Sequence, residues 1–295
     1  MRSLCLIVNP HAGGGRTAKA LPEVEDALRG HGLPFRVERT RSIDHATELG
    51  RDAVARGEVA VSFGGDGLVG AVAHGVRGTE GVLGVLPGGR GNDFARKLGI
   101  PLKPVAAAEV LARGVARTVD VAEVDDRTFL GIASYGFDSA VQDRANATTR
   151  VRGQVVYLYA ALRELASWKA VGLRYTVARP DAGAGEQRFD GYAVAACNSG
   201  VFGGGMALAP EASLEDGLLD VVLVANTSKP AYLRGLGRVF SGKHLGDAHV
   251  SLLRAAEVRV DADRPFRIYA DGDPIGVTPA TIRAVPAALR VLVPA

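Results

Sequence analysis

Short apolar segments alternate with helical segments through the N-terminal part of the chain, and this order limits the fold more than any other feature. Between the apolar segments, apolar residues recur at helical spacing. Such an alternation predicts a parallel sheet that is covered by helices on both faces. The predicted strands are Leu4–Val8, Phe35–Glu38, Val59–Phe63 and Val82–Leu86, and the predicted helices are Thr17–Arg29, Ile43–Arg56, Leu68–Val76 and Phe94–Leu98.

From about Val119 onward the pattern changes to strand-like segments, many of which have no helix between them. This succession of strands predicts an antiparallel β-domain, most simply a sandwich. Two helical inserts, Val151–Lys169 and Pro230–Ser241, interrupt it, and Asp181–Gly185 is typical of a hairpin turn. The predicted strands are Val119–Val124, Thr128–Ala133, Leu173–Ala178, Gln187–Ala196, Leu219–Val224, Glu257–Val260, Phe266–Ala270 and Leu289–Val293.

The composition is that of an ordinary globular protein. Of 295 residues, 47% are apolar and 23% are charged, which excludes a disordered or fibrous chain. The net charge of +3 is too small to favour a nucleic-acid partner. Cys5 and Cys197 are too few for a disulfide framework and indicate buried thiols in a reducing compartment. Because no segment approaches the ~18 apolar residues of a spanning helix and no cleavage pattern is present, we expect a cytoplasmic protein.

Three glycine-rich turns follow predicted strands, at the edge of a parallel sheet where ligands bind. Glycine allows close backbone approach and leaves amide groups available for phosphate. Asn9 can form an Asx turn, Asp66 can bind magnesium or accept a proton, and the Arg90 guanidinium can bind a phosphate. The three turns are Asn9–Arg16, Phe63–Gly67 and Leu86–Phe94.

Each turn also has an ordinary structural interpretation. Strand-to-helix turns favour Gly, Asn and Asp, and Asn92 or Asp93 would serve as the N-cap of the helix near Phe94. The chain contains no Walker loop, no protein-kinase motif pair and no zinc-binding motif, and its six histidines are scattered. The convergence of three glycine turns at one sheet edge nevertheless favours an anion-binding site.

Six segments together resemble a known family. In chain order they are NPHAGGG (9–15), FGGDG (63–67), PGGRGNDFARKLGIP (87–101), YGFDSAV (135–141), GGGMALAPEASLEDGLLDVVLV (203–224) and DGDP (271–274). They resemble the diacylglycerol kinase catalytic-domain family, which includes bacterial diacylglycerol kinases and sphingosine kinases. The GGDG motif alone is shared with NAD kinases and phosphofructokinases, whereas GNDFAR joined to the GGGM segment is specific.

The resemblance implies an ATP-dependent lipid kinase that phosphorylates a membrane-lipid hydroxyl, most simply converting diacylglycerol to phosphatidic acid. It implies an α/β plus β fold, in which a doubly wound parallel-sheet nucleotide domain and an antiparallel β-sandwich face each other across a cleft. The implied ATP-binding domain is 1–120 together with a returning strand over 284–295. The implied lipid- and metal-binding domain is 121–283.

Matching motif positions imply the site residues. Those expected to line the ATP site are Asn9, Pro10, His11, Ala12, Gly13, Thr40, Gly65, Gly67, Arg90 and Asn92. Asp66 would face MgATP, and Asp273 holds the position of the family's catalytic carboxylate, with Asp66 as the other candidate. A second Mg²⁺ would be held by Asp216 and by carbonyl groups of Ser213 and Leu218, with Asp120 acting through water.

The chain departs from the family pattern around the phosphates. The Thr, Asn and Glu that usually follow GGDG, and a Thr in the third glycine turn, are replaced by Leu68, Gly70, Ala71 and Arg90. The added cation of Arg90 is a hypothetical compensation. Asp273 stands where the family has Glu, so its carboxylate is one methylene shorter. Either the backbone compensates for the shorter side chain, or Asp66 carries more of the catalysis.

A membrane-bound substrate requires a lipid-facing surface, for which two amphipathic segments are candidates. One has a stripe of Val151, Val155, Leu158, Leu162 and Leu165, flanked by Arg150, Arg152, Arg163, Tyr157, Tyr159 and Trp168; the other combines Tyr232, Leu233, Leu236, Val239 and Phe240 with Arg234, Arg238 and Lys243. Packing against the sandwich is the alternative role of each. We expect peripheral contact with the inner face of the membrane and no nucleic-acid partner, and a homodimer stays open.

Other functions stay open on the sequence alone. The GGDG motif is compatible with a small-molecule kinase of the NAD-kinase type, although the GNDFAR and GGGM segments argue against it. The substitutions at Leu68, Gly70, Ala71 and Asp273 are compatible with a non-catalytic nucleotide or lipid sensor. A sphingoid base, another glycerolipid or a prenol are alternatives to diacylglycerol as the substrate.

Overall fold

A computed structural model describes residues 2–148, 155–169, 171–178 and 185–295. The strands are β1 (Leu4–Val8), β2 (Phe35–Arg39), β3 (Val59–Gly64), β4 (Val82–Pro87), β5 (Val115–Val124), β6 (Arg127–Phe129), β7 (Ile132–Gly136), β8 (Val171–Ala178), β9 (Gly185–Cys197), β10 (Val201–Phe202), β11 (Met206–Ala207), β12 (Leu219–Ala225), β13 (Val250–Ala255), β14 (Glu257–Ala262), β15 (Arg267–Ala270), β16 (Asp273–Val277) and β17 (Ala280–Val293). The helices are α1 (Ala12–Gly30), α2 (Ile43–Ala55), α3 (Asp66–Val76), α4 (Asp93–Lys97), α5 (Pro104–Arg113), α6 (Phe137–Ala147), α7 (Val155–Ser167) and α8 (Lys229–Val239), with a 3₁₀ helix at Lys243–Gly246.

The N-terminal part is a parallel sheet in the order β2–β1–β3–β4. Every residue of β1 is buried, as expected for a strand with neighbours on both sides and helices on both faces. Helix α1 packs with α5, α2 packs with α3, and members of both pairs contact the sheet. The predicted α/β class is confirmed, and the four strands begin at the predicted residues.

Several elements were not predicted, among them helix α6 and strands β13 and β16. Helix α5 was not predicted, although Pro104 at its first turn and Gly114 after its end are standard boundary signals. Its buried residues include Ala107 and Leu111, which pack on the sheet side. The single strand predicted over Thr128–Ala133 is divided into β6 and β7, because β6 pairs with β5 whereas β7 pairs with β9 and β15.

The C-terminal part is built from antiparallel pairs, with β9 at their centre. Strand β9 pairs with β8 along its first half and with β7 and β12 along its second half. An aromatic cluster fills part of the core, where Phe137 lies edge-on to Trp168 and Tyr232, and Tyr192 stacks on Tyr232. The antiparallel pairs of β9 with its neighbours confirm the predicted antiparallel β-sandwich.

Strand β17 connects the two parts into one continuous sheet. Its first half pairs with β14 of the sandwich, and its second half pairs in parallel with β4. Strand β5 lies antiparallel to both halves, with an irregularity between Val285 and Leu289. Strands β5 and β17 therefore both run from one part of the molecule into the other.

Asp120 holds the irregularity in place. Its side chain is only 3% exposed, and its two carboxylate oxygens accept hydrogen bonds from the N–H groups of Ala287 (2.8 Å) and Gly217 (2.7 Å). Ala287 has a φ of +50°, a left-handed conformation that a non-glycine residue seldom adopts. The Asp120 N–H also donates to the Leu214 carbonyl at 2.6 Å, so this one residue fixes both β17 and the 214–217 turn.

The two amphipathic segments are each partly buried. In α7, Leu165 is buried while Leu162 is 49% exposed; in α8, Val239 is buried while Phe240, at the end of the helix, is 64% exposed. The start of the first stripe and most of the expected hairpin turn lie outside the described residues. The residues concerned are 149–154, which include Arg150 and Arg152, and 179–184, together with the side chains of Val155, Tyr157 and Leu158. None of the described helices has the length and apolar character needed to cross a bilayer.

We predict that Asp120→Ala lowers the free energy of unfolding by roughly 3 kcal/mol, because the N–H groups of Gly217 and Ala287 lose their acceptors. Urea denaturation followed by circular dichroism measures the change. The matched control is Glu215→Ala, which removes an exposed ion pair with Arg117 and is expected to cost less than about 1 kcal/mol. Equal losses in the two variants would contradict the structural role of Asp120.

Candidate active site

The three glycine turns meet at the carboxyl edge of the parallel sheet. The Gly88 N–H donates to the Gly64 carbonyl at 2.7 Å, which joins the second turn to the third. A Cβ atom at Gly13 would lie 2.5 Å from the Gly88 carbonyl oxygen, and one at Gly89 would lie 2.5 Å from the Cα of Gly65. Because no side chain fits at these contacts, the backbones of the turns form one continuous surface.

The first turn has the expected Asx geometry. The Asn9 side-chain oxygen accepts from the His11 N–H at 3.0 Å across Pro10, and the Ala12 N–H donates to the Asn9 carbonyl at 3.1 Å. Gly13–Gly15 have φ values of +61°, +72° and +88°, so the regular turns of α1 begin only after them. The conformation of this turn therefore depends on glycine.

Arg16 links the first turn to the third, a role that the sequence analysis missed. Its Nε donates to the Gly13 carbonyl and its Nη2 donates to the Gly89 carbonyl, both at 3.0 Å. Thr17, buried one residue later, places its hydroxyl 3.4 Å from the Gly88 carbonyl. The sequence feature that indicates this role is an Arg at the end of a glycine-rich turn, because one guanidinium can donate to two carbonyl groups at once.

The third turn is closed by Asn92. Its side-chain oxygen accepts from the Gly89 N–H at 2.8 Å, and its side-chain nitrogen donates to the Gly89 carbonyl at 3.2 Å. Asp93 instead reaches the sandwich, where both of its oxygens accept from the Gly204 N–H at 3.0–3.1 Å. Asn92 stands at the N-cap position of α4, as predicted, but its side chain makes no capping hydrogen bond, because it binds the Gly89 backbone instead.

Asp66 supplies the missing cap. It is the first residue of α3, and its Oδ1 accepts from the Phe94 N–H of α4 at 3.2 Å. Burial raises the pKa of Asp66 from its usual value, and the nearby Asp93 carboxylate raises it further. The carboxylate is thus fixed between the second and third turns.

Two further predicted residues lie at the rim of these turns. Thr40 follows β2, and its N–H donates to the Val8 carbonyl at 2.9 Å, directly before the first turn. Arg90 lies exposed on the third turn. Thr40 is therefore held by the sheet, while the Arg90 guanidinium is accessible to an anionic ligand.

Asp273 reaches this site from the sandwich. A Cβ atom at Gly67 would lie under 3.0 Å from Oδ2 of Asp273, closer than real Cβ contacts, so the carboxylate rests against the backbone of the second turn. Burial raises the pKa of Asp273 from its usual value, and the positive charge of Arg127 opposes this shift. The structure therefore brings Asp273 and the glycine turns together.

The positions that depart from the family pattern have ordinary packing roles in α3. Leu68 is buried and lies against Gly64, where a Cβ atom would come within 2.6 Å of its Cδ2. The Ala71 carbonyl accepts from the Thr47 hydroxyl at 2.9 Å. A Cβ atom at Gly70 would meet no described atom within 4 Å.

The residues proposed for a second Mg²⁺ have other partners. Asp216 accepts from the Leu218 N–H at 3.0 Å and forms an ion pair with Arg254, while both oxygens of Asp120 accept backbone N–H groups. The Ser213 hydroxyl accepts the backbone N–H two residues later. The part of the chain that the structure describes contains no group of three or more His, Cys, Asp or Glu placed to hold a metal ion. The Asp216 and Asp120 carboxylates thus have partners within the protein, and because these contacts do not involve the Ser213 and Leu218 carbonyl groups, the second Mg²⁺ site stays a prediction.

Comparison with known proteins agrees with this geometry. Residues 3–124 match the diacylglycerol kinase catalytic domain, and residues 131–293 match the YegS C-terminal NAD kinase beta sandwich-like domain. A diacylglycerol kinase of Mycobacterium tuberculosis is 35% identical over 98% of this chain and 94% of that protein. A Pseudomonas aeruginosa protein named "Probable lipid kinase YegS-like" is 32% identical over 91% of this chain and 88% of that protein.

A likeness of fold extends over both parts of the molecule. The crystal structure of a diacylglycerol kinase from Bacillus anthracis has a TM-score of 0.74 at 19% identity, covering 99% of this chain and 96% of that chain. The sequence matches span the glycine turns of the first domain and the Asp273 turn of the second. The chain belongs to the diacylglycerol kinase catalytic-domain family.

Proposed function

We propose that this protein is an ATP-dependent lipid kinase, which transfers the γ-phosphoryl group of ATP to the hydroxyl group of a membrane lipid. Diacylglycerol, converted to phosphatidic acid, is the substrate that we infer first. The observation that carries the proposal is the contact between the Asp273 carboxylate and Gly67, which places an acidic group of one domain beside the glycine turns of the other.

The glycine turns are suited to a triphosphate. Phosphoryl transfer requires positioning and neutralisation of charge more than covalent chemistry. Backbone amides of glycine-rich turns at a sheet edge bind phosphate oxygens, and the exposed Arg90 guanidinium adds a bidentate donor. Arg16 keeps the first and third turns together while the ligand binds.

The reaction follows from the positions of the carboxylates. The lipid hydroxyl oxygen forms a bond to the γ-phosphorus, the bond from that phosphorus to the β,γ-bridging oxygen breaks, and ADP leaves. Asp273 orients the hydroxyl group and takes its proton as the new bond forms. The raised pKa of Asp273 makes it a stronger base than an ordinary carboxylate. Asp66, held by the Phe94 N–H, would face the Mg²⁺ that enters with ATP as part of the substrate.

The lipid class is inferred from the relatives. The matching proteins bear the names diacylglycerol kinase and lipid kinase, which supports a lipid acceptor. Apolar side chains exposed on α7 and α8, including Leu162, Leu233 and Phe240, support peripheral contact with a membrane.

The direct test uses purified protein with labelled ATP, Mg²⁺ and a panel of lipids in mixed micelles. We expect labelled phosphatidic acid from diacylglycerol, and at least a 100-fold lower turnover for Asp273→Asn. Label in a sphingoid base or a prenol would change the substrate but keep the lipid kinase. Label in NAD alone, or nucleotide binding without any turnover, would contradict the proposed function.

Gly67→Ala is expected to lower kcat by about 100-fold, because the new Cβ displaces the Asp273 carboxylate. The melting temperature should not fall, since alanine is favoured over glycine within a helix. Gly70→Ala is the matched control in the same helix, and we expect it to keep its activity because the added methyl group meets open space. Equal kcat values for the two variants would mean that Asp273 does not act from its observed position.

Arg127→Ala is expected to shift the acid limb of the kcat–pH profile to higher pH. Arg127 holds the pKa of Asp273 down, so its removal raises that pKa and leaves more of the base protonated at a given pH. Arg127→Lys retains the positive charge and should keep the limb near its original position. An acid limb that is the same in the wild type and Arg127→Ala would show that Asp273 is not the titrating base.

A further inference from the structure

Asp271 lies two residues before Asp273, and its carboxylate is bound by the backbone N–H groups of residues 130–132, just before and at the start of β7. Leu130 donates to Oδ2 at 2.8 Å, Gly131 donates to Oδ1 at 2.9 Å and to Oδ2 at 3.2 Å, and Ile132 donates to Oδ1 at 3.2 Å. Hydrogen bonds from N–H groups to a charged acceptor are stronger than neutral ones. This carboxylate therefore ties the turn to the start of β7.

The fit around Asp271 is close. A Cβ atom at Gly131 would lie under 3.0 Å from its Oδ1, so only glycine allows this approach. The Asp271 N–H also donates to the Ile132 carbonyl at 3.3 Å. Main chain and side chain of Asp271 thus hold the same segment of the neighbouring strand.

The backbone of the turn is unusual in a way that determines where Asp273 points. Asp271 and Gly272 have φ values of +53° and +94°, and Ala270 pairs with Asp273 across them. Two successive residues with positive φ form the tight hairpin turn for which an Asp-Gly pair is favoured. Because the reversal is complete within two residues, Asp273 is the first residue of β16 and its position depends directly on Asp271.

We propose that Asp271 is the positioning residue of the reaction, which holds the Asp273 carboxylate against Gly67 by fixing the turn on the 130–132 backbone. The inference rests on the proposed function and deepens it. It also explains how a side chain one methylene shorter than the family's Glu reaches the site, since the backbone of the turn carries Asp273 to the second glycine turn.

The surroundings of Asp271 disfavour the charged form of its carboxyl group. Burial raises the pKa of Asp271 to about 7, and the negative charge of Asp66 on α3 adds to this shift, while the three N–H groups oppose it. Arg127 is the charged group that acts on Asp273, two residues further along the same turn.

Asp271→Asn tests the proposal, because the side-chain nitrogen of Asn is a donor. It cannot accept the backbone N–H groups that now donate to one of the carboxylate oxygens. We expect kcat to fall by at least 10-fold while KM for ATP stays within twofold, since the glycine turns are untouched. In a double-mutant cycle, Asp271→Asn should cause no further loss in the Asp273→Asn background. Crystal structures of wild type and Asp271→Asn should show Oδ2 of Asp273 moved away from Gly67.

The matched control is Asp125→Asn. Asp125 is also an aspartate with positive φ, +45°, and its Oδ1 accepts the Thr281 N–H at 3.1 Å in a turn between β5 and β6. We expect its kcat to equal that of the wild type. If Asp271→Asn does not fold, Gly131→Ala displaces the Asp271 carboxylate instead and should give the same changes in kcat and in the position of Asp273.

The proposal is overturned if kcat and the place of Asp273 are unchanged in the variant, or if the loss persists in full in the Asp273→Asn background. A wild-type protein that phosphorylates no lipid would instead refute the proposed function. In that case the two crystal structures alone decide whether Asp271 holds Asp273 against Gly67.

Discussion

The candidate site depends on backbone contacts that exclude every side chain. Gly13, Gly88 and Gly89 bring three chain segments so close that a single Cβ atom would separate them. Close approach of this kind exposes peptide groups rather than side chains at the sheet edge, which is the chemistry that phosphate requires. The same constraint operates at Gly67, where the absent Cβ leaves room for a carboxylate from the other domain.

That carboxylate is placed by the shared sheet. Because β5 and β17 pair with each other across both domains, the sandwich is not free to rotate as it would be on a flexible linker. Asp120 fixes the one irregularity of β17 through two backbone hydrogen bonds. The sandwich in turn positions β15 and β16, so the distance between Asp273 and the glycine turns is set by main-chain pairing over the whole molecule.

Local signals predicted the elements, and the topology of parallel sheets predicted that the glycine turns would meet. What the sequence could not supply were partners far apart along the chain. Asp93 reads locally as a helix cap, but it binds Gly204 of the sandwich, and Asp66 caps α4 in its place. Asp216 reads as a magnesium ligand by position, yet its partner Arg254 becomes visible only when β12 and β13 are paired. A carboxylate can cap a helix, bind a metal ion or pair with a distant residue, so its partner is identified only from the fold.

The Asp at position 273 shows why a departure from a family motif has to be judged with its surroundings. Measured along the side chain alone, the loss of one methylene would withdraw the carboxylate from the site. In the structure Gly67 of the second glycine turn has no Cβ, which leaves room for a carboxylate. The hairpin turn at Asp271–Gly272 places the Asp273 carboxylate in that space. A Glu placed on the same backbone would have to fold back or displace α3. The short Asp273 side chain therefore matches the close approach of the two backbones at Gly67.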